Sequence, residues 1–213
     1  MKINHAITSV LGILLILILP HSELIPNFGY SIPILLLVWA ILKYQGKRFD
    51  GIGFSFKWFS WKAVGVGVLT GIIVFVLLQM ILFPVLEQFI EFDNAEFGLN
   101  TFLKQNIYTY LFILGMGWLI GGVYEEIVFH GFIFKKIKEF VGGKNSTVVS
   151  FLFTAVLFGL YHYQMGVEGT LNAFLAGMIY HGISLKFKGN LWYGVFCHGT
   201  YNSIVISCLY FDI

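Results

Sequence analysis

Charged residues are what this sequence has least of. Lys and Arg number 13 and Asp and Glu 11, so only 11% of the 213 residues are charged, against roughly 25% in a soluble domain. So little polar surface cannot cover a water-exposed globule of this size, and a soluble fold is excluded. Cysteine is nearly missing as well. Cys197 and Cys208 are the only two, which rules out a disulfide scaffold; about 16 Å apart along one apolar run, they cannot bridge within a helix. A net charge of +2, with no basic run free of hydrophobic neighbours, removes nucleic acid from the candidate partners. Strict alternation over ten-residue units is absent, which excludes a transmembrane barrel, and no internal repeat appears. The chain reads as a single membrane domain over residues 1–213.

Apolar bulk is what it has in quantity: 58% hydrophobic residues, 18% aromatic, with 23 Phe. A spanning helix needs about 17 to 25 mostly apolar residues, because lipid offers the backbone no outside hydrogen-bond partner. Seven stretches qualify, near Ile3–Pro20, Leu24–Leu42 (interrupted by Pro26 and Pro33), Ala63–Leu86, Tyr108–Phe134, Thr147–Tyr163, Gly169–Leu185 and Leu191–Phe211. The expected fold is all-α, a polytopic bundle of about seven transmembrane helices embedded in the lipid bilayer. The first stretch follows Lys2 as a signal peptide would, yet no pair of small residues at A-x-A spacing stands near Pro20, so it is read as a retained helix.

The basic residues test that count. Lys2, the 43–62 loop (Lys43, Lys47, Arg48, Lys57, Lys62), the 135–146 loop (Lys135, Lys136, Lys138, Lys144) and Lys186 with Lys188 all fall on one side. Lys104 alone of the thirteen falls on the other, with Glu23, Glu87, Glu91, Asp93, Glu96, Glu168 and Asp212. This alternation puts the N-terminus in the cytoplasm and the C-terminus outside, with the plasma membrane as the expected location. The two short stretches at 147–163 and 169–185 leave an alternative open, a helical hairpin that does not fully cross. Glu87–Lys104 has room for an interfacial helix, and Gly51 to Trp61, rich in aromatics, reads as a segment anchored at the cytoplasmic interface.

Ionisable groups inside spans cost several kcal/mol each and are functional candidates by default. Glu125 and Glu126 stand in the fourth stretch between Leu119-Ile120 and Ile127-Val128-Phe129, with no cation beside them in sequence. Two adjacent carboxylates in hydrocarbon cannot both stay ionised without donors or cations nearby, and a carboxylate so poised is a usable general base. His162 closes Phe158-Gly-Leu-Tyr-His162, and His198 opens His198-Gly-Thr-Tyr-Asn202; each motif sets its end residues at i, i+4 on one helical face. Taken alone, His162 reads as an interfacial or core histidine and Asn202 as interhelical glue. Polar groups on three separate spans, in a chain that otherwise keeps them in loops, suggest one shared buried site. His130 and His181 lie nearer the cytoplasmic ends and read as satisfied histidines.

A carboxylate and a histidine can polarise water, while an Asn amide and a second histidine can donate to the oxyanion formed when a carbonyl is attacked. That set suits peptide hydrolysis. The sequence has no H-E-x-x-H for zinc, no G-x-S-x-G elbow and no Asp within a span for an aspartyl dyad. Cys197 and His198, as i, i+1 neighbours, point apart on a helix, so Cys197 is assigned to packing.

Glu125-Glu126, Phe158-x-x-x-His162, Phe174-x-x-Gly177 and His198-x-x-x-Asn202 occur in one order over about Gly117 to Ser203. In this the chain resembles the CPBP family, the CAAX proteases and bacteriocin-processing enzymes also called the Abi family. The resemblance implies a glutamate-dependent intramembrane endopeptidase similar to type II CAAX prenyl proteases, with a catalytic core at 108–211. Glu125 is then similar to the base that activates water with His162, Glu126 to a supporting carboxylate, and His198 and Asn202 to the oxyanion-stabilising pair. Phe158, Phe174 and Gly177 resemble structural positions. The implied substrate is a peptide or membrane protein, through CAAX-type trimming, bacteriocin or signal-peptide processing, or self-immunity. No cofactor is expected, with a zinc-dependent version as the alternative.

One departure and one tension accompany the resemblance. The family's first motif usually reads E-E-x-x-x-R, whereas His130 stands at the arginine position; a histidine gives a single directional bond where arginine gives a permanent charge. That leaves room for an inactive scaffold or immunity protein of the same fold, and the buried Glu and His groups also suit a proton-coupled carrier, whose usual repeat is missing. In depth, Glu125 and His198 each lie ten residues from a lysine but His162 lies eighteen from Lys144, a mismatch of about 12 Å along straight helices.

Overall fold

The computed structural model describes residues 3–22, 25, 27–92 and 99–213; the sequence readings that rest on Lys2, Glu23, Leu24, Pro26, Asp93 and Glu96 lie outside them. Eight helices and no strand occur among the described residues: α1 (Ile3–Ile18), α2 (Ser31–Tyr44), α3 (Trp61–Leu86), α4 (Leu99–Leu103), α5 (Ile107–Val141), α6 (Ser146–Tyr161), α7 (Gly166–Lys186) and α8 (Trp192–Phe211). Local chemistry sets several ends. The Ser60 hydroxyl accepts from the Ala63 N–H at 3.1 Å to start α3. Asn106 and Thr109 form a reciprocal capping box that starts α5. At its other end α5 stops at Gly142 and Gly143, both with positive φ, where a glycine escapes the Cβ clash.

The surface is apolar where a soluble protein's would be polar. Leu11, Leu14 and Leu15 on α1, Leu69, Ile72 and Ile73 on α3, and Leu152, Phe153 and Val156 on α6 are all exposed. Such continuous patches match lipid rather than water. Among the described residues, three helices are long and apolar enough to cross a membrane (Ile3–His21, Trp61–Leu86, Ile107–Val141), and the bent pair Ser146–Tyr161 and Tyr163–Lys186 adds a fourth if it counts as one span. The other stretches counted in the sequence fall short for identifiable reasons. Helix α2 begins only at Ser31, with Pro33 in its first turn, where proline is tolerated. Helix α6 has 16 residues, about 24 Å against a hydrocarbon core of about 30 Å. In α8, His198, Thr200, Asn202 and Ser203 lower the mean hydropathy.

Helices α6 and α7 are bent by 55° at the break between Tyr161 and Tyr163. Phe151 packs on His181 at 5.2 Å between ring centroids, and Gly177 and Gly159 receive the side chains of Phe158 and Phe174. The two helices therefore pack on each other about the turn at Tyr163–Met165.

Helix α8 is the central element, held between α3 and α5 by small residues. A Cβ on Gly67 or Gly71 of α3 would collide with α8 at Phe196, Cys197 and Thr200; on Gly117, Gly121 or Gly122 of α5 it would meet Ile206, Asn202, His198, Val195 and Gly199. Both sets include a G-x-x-x-G pair, the spacing that lets membrane helices approach closely. Cys197, fully buried in this contact, serves packing. A Gln79, Asn172 and Tyr201 hydrogen-bond triangle, with contacts of 2.6 to 3.1 Å, ties α3 and α7 to α8.

The stretch read as the 135–146 loop is helical as far as Val141, because Phe134–Val141 carries its apolar groups on one side. Lys136 is consequently not in a loop but fully buried, bonded to Gln45 at the C-cap of α2 and 3.5 Å from Glu139. The aromatic segment from Gly51 to Trp61 also does more than anchor. Leu191 N–H donates to the Gly53 carbonyl at 3.0 Å, Trp192 Nε1 to the Ser55 carbonyl at 2.8 Å and Asn190 Nδ2 to the Trp58 carbonyl at 2.9 Å, docking the segment on the start of α8.

Candidate active site

From Gly117 to Ile133, α5 winds as a π-helix, a form that recurs at functional sites. Along it Gly121, Gly122 and Tyr124 through Ile133 are all buried. Glu125 and Glu126 sit in this wall at 6% and 0% exposure. They face different neighbours. Glu125 Oε1 lies 3.8 Å from His162 Nε2, and Glu125 Oε2 lies 3.8 Å from His198 Nε2. Glu126 Oε1 lies 2.9 Å from His130 Nδ1 and 3.3 Å from His198 Nδ1. The His198 ring thus stands between the two carboxylates, one nitrogen toward each.

Each histidine is oriented by a further contact. His162 caps α6, and its Nδ1–H donates to the Phe158 carbonyl at 2.8 Å, which turns Nε2 toward Glu125. Tyr180 of α7 stacks on His198 at 4.2 Å and 20°. Asn202, one turn beyond His198, donates from Nδ2 to the Gly117 carbonyl at 3.3 Å. Gly121 fixes where these groups meet: a Cβ there would touch Asn202 Nδ2 and come within 3.2 Å of His198 Nε2. Glu125, Glu126, His162, His198 and Asn202 therefore converge on one place.

The depth mismatch counted from the lysines disappears in the hairpin of α5 and α6. Phe129 packs on Phe158 at 5.1 Å and on Tyr161 at 4.8 Å. Because α5 continues as a helix past Lys135, the turn at 142–145 is the proper origin, and Glu125 and His162 lie at matching distances from it.

Further residues support the site, some of them unmarked in the sequence. His130 takes the arginine position and keeps the contact to Glu126, but its Nε2 has no partner among the described residues. His181 stacks on His130 at 4.8 Å and 19°. Both its ring nitrogens lack partners among the described residues, so the reading of His181 as a satisfied histidine does not hold. Gly194 and Ser184 were unmarked: a Cβ on Gly194 would collide with Glu126 Oε2, and the Gly194 N–H donates to Ser184 Oγ at 3.1 Å. Gly121 and Gly194 give no local signal, because a glycine in an apolar run announces nothing until its neighbour across the helix contact is known.

Zinc would need its His and carboxylate donors about 2.0 to 2.2 Å from one point. Among the described residues no group of three or more His, Cys, Asp or Glu is so arranged; Glu125 presents its two oxygens to two separate histidines, and His198 is divided between two carboxylates. These donors are not gathered about one point, so the set does not fit a zinc cage.

No curated protein and no solved structure matches the chain. The profile of the type II CAAX prenyl endopeptidase Rce1-like family matches residues 12–204, which reaches every helix of the site and the last seven residues of α1, far beyond the motif-bearing half. With that coverage, the chain belongs to the type II CAAX prenyl endopeptidase Rce1-like family, a family of membrane proteases.

Proposed function

We propose that this protein hydrolyses a peptide bond within the membrane, with Glu125 as the base and no metal. The observation that supports this most is the placement of Glu125 between two histidine Nε2 atoms at 3.8 Å. That separation is too long for direct hydrogen bonds and suits bridging through a water molecule. Because His162 spends its Nδ1–H on the Phe158 carbonyl, its neutral ring offers a lone pair at Nε2 to the same water. Glu125 takes a proton as the water oxygen bonds to the substrate carbonyl carbon. The protonated Glu125 then gives that proton to the departing amine as the C–N bond breaks.

The negative charge that develops on the carbonyl oxygen needs donors. Asn202 Nδ2 has a second N–H beyond the one shared with Gly117. His198, with Nδ1–H donating to the Glu126 carboxylate, carries an N–H at Nε2 as the imidazolium, which Glu126 counters. Glu126 is thus a positioning residue for His198 rather than a second base. His130 holds Glu126 from its other side at 2.9 Å, which favours catalysis over a scaffold role despite the missing arginine. The substrate is a peptide or membrane protein that presents its scissile bond toward the lysine-rich side, which the basic-residue distribution assigns to the cytoplasm.

The test is cleavage by purified full-length protein in proteoliposomes, using a panel of membrane-anchored peptides with and without a prenylated cysteine, followed by mass spectrometry. Cleavage that survives exhaustive chelation and disappears in Glu125→Gln is the expected result. A Glu125→Gln protein that cuts at the wild-type rate overturns the assignment of the base, and loss of all activity on chelation overturns the metal-free mechanism.

A further inference from the structure

At the lysine-rich end a cavity of about 460 Å³ opens between the Gly51–Trp58 segment, α5 and α7. That is room for a small ligand. Lys135, Lys138 and Lys188 line it with a single acid, Asp50, whose carboxylate accepts the Gly51 N–H at 2.8 Å. Among the described residues none of these three lysines has a carboxylate in salt-bridge range, whereas nearby Lys47 and Lys136 both have Glu139. Lys188 is also held at φ 60°, a left-handed backbone that a non-glycine residue adopts at a cost, and such strain gathers at binding sites. Deeper in the lining, His181 is 2% exposed with both ring nitrogens unpartnered among the described residues, and it stacks on His130. Buried polar groups are nearly always paired, so an unpaired ring in one lining with three lysines that lack a carboxylate partner points to a missing partner of negative charge.

We propose that this cavity binds the phosphate of an anionic phospholipid headgroup. The lysines supply charge, as lysine does for phosphate elsewhere, and His181 supplies an N–H. The location selects lipid over a soluble anion. Trp58 lines the same cavity, and Phe56 and Trp61 of the same segment expose their rings, the aromatic signature of headgroup depth. A basic pocket between helices at that depth is a headgroup site by its chemistry. Its inner wall is His130, which contacts Glu126, so an occupied cavity lies one side chain from the carboxylate pair. The proposal does not depend on what reaction that pair performs.

Full-length protein in neutral detergent, titrated with short-chain phosphatidylglycerol, phosphatidylcholine or inorganic phosphate, tests it by thermal melting. Saturable stabilisation by phosphatidylglycerol is expected, with neither of the others matching it. Each lysine removed should weaken that binding about fivefold, so Lys135→Gln/Lys188→Gln should raise the apparent Kd roughly 25-fold. Lys57→Gln, which removes a charge of the same face outside the cavity, should leave the Kd unchanged. Three results overturn the proposal: the same Kd in the double variant, an equal loss in Lys57→Gln, or binding of inorganic phosphate or phosphatidylcholine as tight as that of phosphatidylglycerol.

Discussion

Glu125 and His162 face each other at 3.8 Å from the two arms of one helical hairpin. Their encounter is a matter of register. Glu125 stands eighteen residues before Gly143 and His162 eighteen after Lys144, so any change in the length of the intervening turn moves one relative to the other. The Phe129 contacts with Phe158 and Tyr161 lock the two arms side by side just below the pair.

His162→Gln should lower kcat by about 10²- to 10⁴-fold, the range typical of a lost general acid–base contribution, while leaving the melting temperature near that of the native protein. The side chain is 17% exposed and bonds only the Phe158 carbonyl, so glutamine fits without burying a new charge. Initial rates in proteoliposomes give kcat, and differential scanning fluorimetry gives stability. A variant that kept its kcat would assign His162 to packing alone.

Gly121→Ala should abolish cleavage through a single methyl group. The added Cβ touches Asn202 Nδ2 and comes within 3.2 Å of His198 Nε2, the two atoms that would receive the oxyanion. Removing one oxyanion donor costs about 10²- to 10³-fold, so disturbing both should cost at least that. Gly65→Ala on α3 is the matched control: a Cβ there meets nothing within 4 Å, and alanine is the better helix former by about 1 kcal/mol. Activity should survive in Gly65→Ala, with equal or higher stability.

Glu126→Gln should reduce kcat with little change in KM, because Glu126 contacts two histidines rather than the substrate. A neutral amide no longer balances a charged His198. If the ring then works only when protonated from solution, the activity of Glu126→Gln should shift to lower pH than that of the native protein. A pH profile of kcat that keeps its position would reduce Glu126 to a structural role.

Much of this architecture was legible in the sequence, and the boundary is instructive. The all-α membrane fold followed from scarce charge and long apolar runs. The five candidate residues followed from polar groups that lipid should have excluded on separate helices, and the structure brings those side chains near one another. Harder to see was anything that depends on which faces meet. Gly121 and Gly194 are invisible until His198, Asn202 and Glu126 are placed against them. Apolar length alone does not decide α6 and α8: α6 faces lipid with only 16 residues, and α8, packed among other helices, carries the polar groups of the site. Lys136 was assigned to a solvated loop on charge, yet charge does not report where a helix ends.

Lys136 supplies a stability prediction on that account. Its side chain is fully buried at the junction of α2 and α5, bonded to Gln45, whose Nε2 in turn reaches the His5 carbonyl at 3.2 Å and Ser9 Oγ at 3.1 Å on α1. Glu139 completes the group, 3.5 Å from Lys136 and 2.5 Å from Lys47. Removing the ammonium takes the donor from half-buried Gln45 Oε1 and leaves Glu139 with Lys47 alone, so Lys136→Ala should destabilise by about 2 kcal/mol, a clear fall in melting temperature. Lys47→Ala should cost far less, since that lysine is 36% exposed and water replaces it. If the two variants melt together, the buried cluster does not hold α1 and α2 to the catalytic helix, and the native position of those helices must rest on the Ile41, Gly12 and Phe132 contacts instead.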